Sequence, residues 1–535
     1  MLDARLVALV KDYGNPETKD YLRGLAYNMT SLRKYRYNIG LNILEANEEL
    51  VNNLQENEMP LTQPVASTSS ATTATYEFIQ RGRKRTAQRN LNFDKERRRV
   101  QNKLNPCKQM KFIFSFKMVH WSEIIKYHVN PSIILILVTV SSQFFPHVGN
   151  PERPFKPQHL FGNLFSWTFI STLISWAVLW LHLPFDQIKG APTSNGYQPV
   201  YRGNGLTYSL TTIGVLLLIS AVNPQQCVEV YQNMGPILGT LNILALTLCI
   251  YLFAREKQDQ NQNLYEHKKT SMIYKFFNGV ELHPRLLGMD VKQLTSPRLG
   301  NMMWQLFNLI FFIAGWKLHG FNAGHFVTSI LQVVSLCKSF SLEDYYFTMF
   351  EMVEDNAGFF LCWGCLVWLP SFYTFQSYFL VHHQPNISNE WAGILFLIGL
   401  LAIYFNYDMC MQKRQCRKAV ESGNKEFTLW RNKPIYISAK YLTPDGIQKE
   451  TQLLVAGWWG VARRMNYTFE FISTIMWSLP GVEFGIWCWL YFIFVLGILV
   501  HRTVYRDEVK CSRKYGRAWV EYCKRVPYRF IPTLF

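Results

Sequence analysis

The chain has 535 residues, 49% of them hydrophobic and 15% aromatic, and a formal net charge of +18. The apolar residues come in long blocks, not in the short periodic stripes that build a soluble core, which points to a membrane protein. The eleven cysteines are scattered, not set at framework spacings, so a disulfide-stapled scaffold is excluded.

Residues 1–118 form a polar region without a hydrophobic span or a signal peptide of charged, apolar and small segments. They include a low-complexity piece, "ASTSSATTAT" (66–75), too poor in apolar residues to bury a core, so the region is expected to be partly disordered. They also include a basic run, "RGRKRTAQRN…DKERRRVQNK" (81–103). Such an arm either rests on anionic lipid at the cytoplasmic face or binds nucleic acid.

Crossing the ~30 Å hydrocarbon core takes roughly 20 mostly apolar residues. Residues 161–183, 236–254 and 357–381 meet this directly, and further runs begin near Pro131, Gly205, Met302, Gly324, Ala392, Asn466 and Glu483. The expected fold is an all-α polytopic membrane protein with about ten transmembrane helices. Cys362 and Cys365 form a C-x-x-C inside one run. No second ligand pair accompanies them, so they are read as small packing residues and no metal site is predicted.

The sequence has no G-x-G-x-x-G, Walker loop, H-E-x-x-H or G-x-S-x-G, which removes the common nucleotide and hydrolase signatures. The informative residues are polar islands at the ends of the C-terminal runs. In "RDEVKCSRKYGRAWVEYC" (506–523), Asp507, Cys511 and Lys514/Tyr515 follow at i, i+4 and i+7/i+8, one helix face that Tyr522 rejoins. Lysines and arginines hold phosphates, an acid accepts from a ribose or amide, and rings stack on a heterocycle. The competing reading is an interfacial helix with snorkelling basic side chains. Two further islands favour the pocket. "MQKRQCRK" (411–418) sets Lys413 and Arg417 one turn apart. "GWWGVARRMNY" (457–467) supplies Trp459, Arg463, Asn466 and Tyr467, with Arg463, Asn466 and Glu470 on one face if the helix starts early. The three segments together suit an anionic dinucleotide.

These stretches resemble the sterol reductases, the group that includes delta-14-sterol reductases, the lamin B receptor and 7-dehydrocholesterol reductase. The pattern G-[WF]-W-G-x-[AV]-R-H-x-N-Y stands here as "GWWGVARRMNY". The closing pattern R-D-[ED]-x-x-C-x-x-K-Y-G-x-x-W-x-x-Y stands as "RDEVKCSRKYGRAWVEY". "AGFFLCWGCLVWLPSFYTFQSYFLVHHQP" (357–385), "GVELHPR" (279–285), "GAPTSNGYQPVYRGNGL" (190–206) and "NYDMCMQKRQCRK" (406–418) are similar to the 7-dehydrocholesterol reductase branch.

The resemblance implies a multi-pass protein of the endoplasmic reticulum membrane in three parts. These are the N-terminal region 1–118, a transmembrane sterol-side core 119–390, and a C-terminal transmembrane and NADPH-binding part 391–535. Carried over by motif, the NADPH residues are Lys413, Arg417, Leu454, Trp459, Asn466, Tyr467, Asp507, Cys511, Lys514, Tyr515 and Tyr522. The implied reaction saturates a sterol ring double bond, the delta-7 bond in this branch, by alkene protonation and hydride transfer. The implied partners are a sterol and membrane lipid. Acids near membrane depth are the default proton-donor candidates, which singles out Glu343, Glu354 and Asp355, together with Tyr373.

Three positions depart from the pattern. Arg464 replaces the usual histidine, Phe469-Glu470 replaces Gly-Asp, and Glu354-Asp355 replaces the branch's His-Asp, so NADPH binding is expected more firmly than turnover. Two other functions compete. One is a tether like the lamin B receptor, with the 81–103 arm on chromatin at the nuclear envelope. The other is a membrane methyltransferase binding S-adenosylmethionine.

Overall fold

The computed structural model describes residues 128–150, 152, 154–193, 197–255, 271–423, 426–442, 448–502 and 507–532, all within one compact unit. The N-terminal region 1–118, with its low-complexity and basic segments, lies outside the described residues.

Each of the ten hydrophobic runs is helical. Helix α1 (Asn130–Gly149) begins at Pro131, whose fixed φ suits a first turn and whose missing N–H costs nothing there. Helix α2 (Leu164–His182) starts from a capping box in which Asn163 and Ser166 exchange side-chain and backbone hydrogen bonds. Helices α3 (Gly205–Val222) and α4 (Met234–Ala254) follow. A helical run beginning at Val291 passes through a π-helical stretch, Leu294–Asn301, and becomes α5 (Met302–His319). Helix α6 (Ala323–Ser341) is capped by Asn322, which accepts from His325 N–H at 2.9 Å. A second π-helical stretch, Phe359–Tyr373, leads into α7 (Phe375–His382). Then come α8 (Asn389–Glu421), α9 (Met465–Ser478), α10 (Ile486–His501) and α11 (Glu508–Arg525).

Among the described residues, six helical segments are long and apolar enough to cross a membrane: Asn130–Gly149, Pro157–His182, Gly205–Val222, Met234–Ala254, Phe359–His382 and Asn389–Val420. Ile486–His501 is a shorter apolar helix. The outer faces carry bare aliphatics, such as Ile136, Leu137 and Val140 on α1 and Leu210, Leu218 and Val222 on α3. These are lipid-facing surfaces in a protein of this hydropathy. At 33 residues α8 is about 50 Å long at 1.5 Å per residue, well over the ~30 Å core. Its last turns, which carry Lys413, Arg414 and Arg417, therefore stand clear of the hydrocarbon.

Among the described residues, three antiparallel hairpins, absent from the sequence expectation, join the helices: β1–β2 (Gln187–Lys189, Val200–Arg202), β3–β4 (Arg285–Leu286, Met289–Asp290) and β5–β6 (Tyr436–Leu442, Gln448–Leu454).

The buried core of the first helices is organised by a charge. Arg298, at 0% exposure, forms an ion pair with Glu343 and donates to Asn204 Oδ1 at 2.7 Å and the Arg202 carbonyl at 3.0 Å. The other Glu343 oxygen accepts Gly205 N–H at 2.7 Å. The pair ties the start of α3 to the π-helical stretch before α5 and to the loop after α6. Removing one member leaves an uncompensated buried charge. Arg298→Met is expected to destabilise the protein by about 3–5 kcal/mol, read as a lowered unfolding temperature in detergent.

Candidate functional site

The C-terminal polar islands converge. The turn Trp458–Val461 lies against the outer part of α8. Gly457 makes this possible with φ +61°, and a Cβ there would collide with Gln412 Oε1. Trp458 N–H donates to Gln412 Oε1 at 3.1 Å, and Trp459 Nε1 donates to the Met409 carbonyl at 3.1 Å. The Lys413 ammonium sits 4.8 Å from the centre of the Trp459 ring, within cation–π range. Leu454, the last residue of β6, packs in the same cluster as Trp459 and Met409. Tyr522 reaches in from α11 and donates to the Trp459 carbonyl at 3.2 Å.

Asp507, at 2% exposure, stands just before α11. Its Oδ2 receives Arg464 Nε at 2.9 Å and the Tyr467 hydroxyl at 3.1 Å. Arg464 also reaches Cys511 Sγ at 3.9 Å. Burial pushes the Cys511 thiol above its ordinary range, while Arg464 pulls the other way. One turn on, the Lys514 ammonium lies 4.2 Å from the ring of Tyr441 on β5, and Tyr515 meets Tyr441 edge-on at 5.9 Å. Gly516 breaks α11 at this point with φ 49° and ψ −121°, a conformation side-chain-bearing residues avoid. The break turns Trp519 and Tyr522 inward, where they pack on Ile437.

Asn466 opens α9. Its carbonyl accepts from Asn406 Nδ2 at 2.8 Å, and Asn406 Oδ1 accepts from Lys338 at 3.0 Å. Lys338 faces Glu470 at 3.6 Å.

Ten of the eleven residues predicted for the cofactor thus stand around one basic, aromatic region, and the eleventh, Arg417, stands at its exposed edge. Arg417 is exposed on α8, one turn beyond Lys413. Arg463 differs from its expected placement beside Asn466. It precedes α9 and turns away, donating to the Val526 and Pro527 carbonyls at 2.7 and 2.9 Å and to Glu508 at 3.0 Å. It fastens the C-terminal segment.

Two buried acceptors in this wall, Asp507 Oδ1 and Asn466 Oδ1, have no hydrogen-bond partner. Orphaned acceptors of this kind cost free energy unless a donor fills them. Ligand hydroxyls or an amide would do so, while Lys413, Arg417, Lys510 and Lys514 suit phosphates. The residues present fit a phosphorylated dinucleotide.

The four proton-donor candidates occupy different surroundings. Glu343 has both oxygens engaged in the core network described above. Glu354 is exposed and forms an ion pair with Lys510 of α11. Asp355 is half-buried, and its carbonyl accepts Lys292 Nζ at 2.8 Å. Tyr373 ends the second π-helical stretch among Trp304, Phe372, Tyr491 and Phe494. Sequence reasoning missed Glu351, whose Oε1 pairs with Arg502 while Oε2 is buried without a hydrogen-bond partner. It also passed over Lys510, although its i+3 spacing from Asp507 was visible. Among the described residues, no group of three or more His, Cys, Asp or Glu is placed to hold a metal ion. Cys362 and Cys365 are buried in the second π-helical stretch.

A bundle of apolar helices that ends in a basic, aromatic cluster around a buried carboxylate defines the class: a multi-helix membrane protein. The comparisons narrow this. Residues 107–535 match the family described as Ergosterol biosynthesis ERG4/ERG24 family. A 7-dehydrocholesterol reductase of Arabidopsis thaliana is 32% identical over 376 residues, 68% of this chain and 86% of the relative. A Delta(14)-sterol reductase of Methylotuvimicrobium alcaliphilum is 29% identical over 401 residues, 74% and 86% of the two chains. The Delta(14)-sterol reductase LBR of Gallus gallus is 29% identical over 412 residues, 75% and 61%. The chain belongs to the ERG4/ERG24 family and is a sterol reductase enzyme of the membrane.

Arg463→Met is expected to free the segment after α11 while leaving the helices intact. Limited proteolysis should then cut near residues 526–530 faster than in the unsubstituted protein.

Proposed function

We propose that the protein uses NADPH to reduce a sterol ring double bond, the delta-7 bond in the first instance, in the endoplasmic reticulum membrane. The observation that carries this reading is the pair of unpartnered buried acceptors, Asp507 Oδ1 and Asn466 Oδ1, set among four cations and the rings of Trp459, Tyr515 and Tyr522. The likeness to a relative named 7-dehydrocholesterol reductase favours the delta-7 bond.

Lys413, Arg417, Lys510 and Lys514 would hold the phosphates, and Asp507 and Asn466 would accept from ribose or carboxamide donors. NADPH supplies hydride when bound. The protein's own part is to hold the sterol against that wall, to exclude water, and to deliver a proton to the alkene. The proton would come from the segment 351–355, whose Glu351 and Glu354 meet Arg502 and Lys510, or from Tyr373 at the end of the second π-helical stretch. The outcome balances: one proton and one hydride add across one carbon–carbon double bond.

The test is turnover in membranes of a sterol-reductase-deficient yeast supplied with 7-dehydrocholesterol and NADPH, followed by loss of the conjugated-diene absorbance and by mass spectrometry. The unsubstituted protein is expected to form cholesterol. Asp507→Ala is expected to cost about 2–5 kcal/mol of cofactor binding, because it strands Arg464, and Tyr515→Phe less. A thermal shift with S-adenosylmethionine and none with NADPH would overturn the reading.

The lysines set a pH dependence. Burial, with Lys514 nearby, pushes Lys510 down to about 8, and burial lowers Lys514 as well. A lowered cation is charged below its pKa and neutral above it. NADPH affinity is therefore expected to hold below pH 8 and weaken above it, and Lys510→Arg should flatten the fall. Titration of NADPH affinity by equilibrium binding from pH 6.5 to 9.5 reads this directly.

A further inference from the structure

Lys292 is a lysine at 0% exposure, an expensive place for a charge. Its ammonium has three N–H donors, and three backbone carbonyls receive them: Glu351 at 3.0 Å, Met352 at 2.8 Å and Asp355 at 2.8 Å. These carbonyls belong to the short helix Phe350–Val353 and the turn that follows it. Carbonyls at a helix end lack intrahelical partners and carry partial negative charge, so a cation completes that end. Lys292 lies on the helical run that becomes α5, and the turn lies about 60 residues further along the chain.

The same turn faces the cofactor half on its other edge. Glu351 Oε1 pairs with Arg502, at the end of α10, and Glu354 pairs with Lys510 on α11. The two edges differ physically. The Lys292 edge is buried and saturated. The ion-pair edge is partly exposed, and exposed pairs contribute roughly 0–1 kcal/mol each. The turn is therefore fixed from the core side.

We propose that Lys292 is a positioning residue of the reductase: its buried ammonium fixes the 351–355 turn, so that Glu351 is held with one oxygen on Arg502 and the other free, and the turn keeps the place that proton delivery requires. This inference rests on the reductase reading above. The free oxygen is Oε2, buried without a hydrogen-bond partner.

Burial pushes Lys292 down to about 8. The groups that face it are Asp290 from β4, Glu351 and Asp355 from the turn, and Cys362 from the second π-helical stretch, and their charges oppose the fall. The ammonium is intact below that pH and lost above it. A neutral amine keeps only two N–H donors, one carbonyl goes unsatisfied, and the turn loosens.

The test uses the full-length protein in detergent. In Lys292→Met, kcat for the sterol is expected to fall about 100-fold, the scale of a misplaced reacting group, with the NADPH dissociation constant unchanged within about twofold. In the unsubstituted protein, kcat at saturating NADPH should fall above pH 8, and in Lys292→Arg this limb should move upward. Hydrogen exchange of the 349–356 amides, which needs no turnover, should lose protection through the same pH window in the unsubstituted protein only. Unchanged kcat in a folded Lys292→Met, an alkaline limb unmoved in Lys292→Arg, or exchange protection indifferent to pH would each overturn the proposal. If neither variant folds, the exchange experiment decides. If the unsubstituted protein binds NADPH but reduces no sterol, the reductase reading fails, and the exchange measurement still judges the Lys292 anchor.

Discussion

A carboxylate at 2% exposure is costly to bury without a cation beside it, and at Asp507 that cation is Arg464. The rest of the site hangs from this contact. Arg464 lies between the Trp458–Val461 turn and α9, and Asp507 stands at the foot of α11, so the pair joins the segments carrying Trp459, Asn466 and Tyr467 to the segment carrying Cys511, Lys514 and Tyr515. Only one Asp507 oxygen is consumed. The pairing thus anchors the wall while leaving Oδ1 without a hydrogen-bond partner.

Arg464 was also the first departure from the family pattern, where a histidine is usual, and on sequence alone it looked like lost chemistry. Its place in the fold gives another account. A guanidinium is charged at every physiological pH and offers several donors in a fixed fork. Here they are divided between Asp507 and Cys511. The third departure, Glu354 where the branch has histidine, follows the same logic. Its carboxylate meets Lys510, on the helix that carries Cys511 and Lys514. One change joins the start of α9 to the foot of α11 and the other joins the 351–355 turn to α11, each by opposite charges, and neither leaves a buried charge without a partner.

Much of this was legible beforehand, because membranes enforce one-dimensional rules. All ten hydrophobic runs became helices where the sequence placed them, and the spacing of Asp507, Cys511, Lys514 and Tyr515 described a real helix face. Local pattern did not show the kink in that helix: Gly516 takes φ 49°, yet Tyr522 still reaches the Trp459 carbonyl. Arg463 was misplaced for a related reason, since α9 begins two residues later and an arginine outside the helix is free to bind the C-terminal segment instead. Lys292, Glu351 and Arg502 carried no signal at all. Their partners lie about 60 and 150 residues away in sequence, and no local periodicity encodes a lysine that serves as the end of someone else's helix.

The π-helical stretches fit the same picture of a core arranged around charge. Regular α-helix through Leu294–Asn301 would rotate the residues that follow Lys292 by a different phase, because an inserted residue per turn shifts the face that a helix presents. With the π geometry, Lys292 points at the 351–355 turn while Arg298, six residues on, still reaches Glu343 at the start of the same loop. One irregular segment therefore holds both ends of the acid-bearing loop: the first end by a side-chain ion pair, the second by three carbonyls. The second π-helical stretch then begins directly after that loop and delivers Tyr373 at its far end. Two fully buried cations, from a part of the chain the NADPH motifs do not touch, position the loop on which proton delivery is proposed to depend.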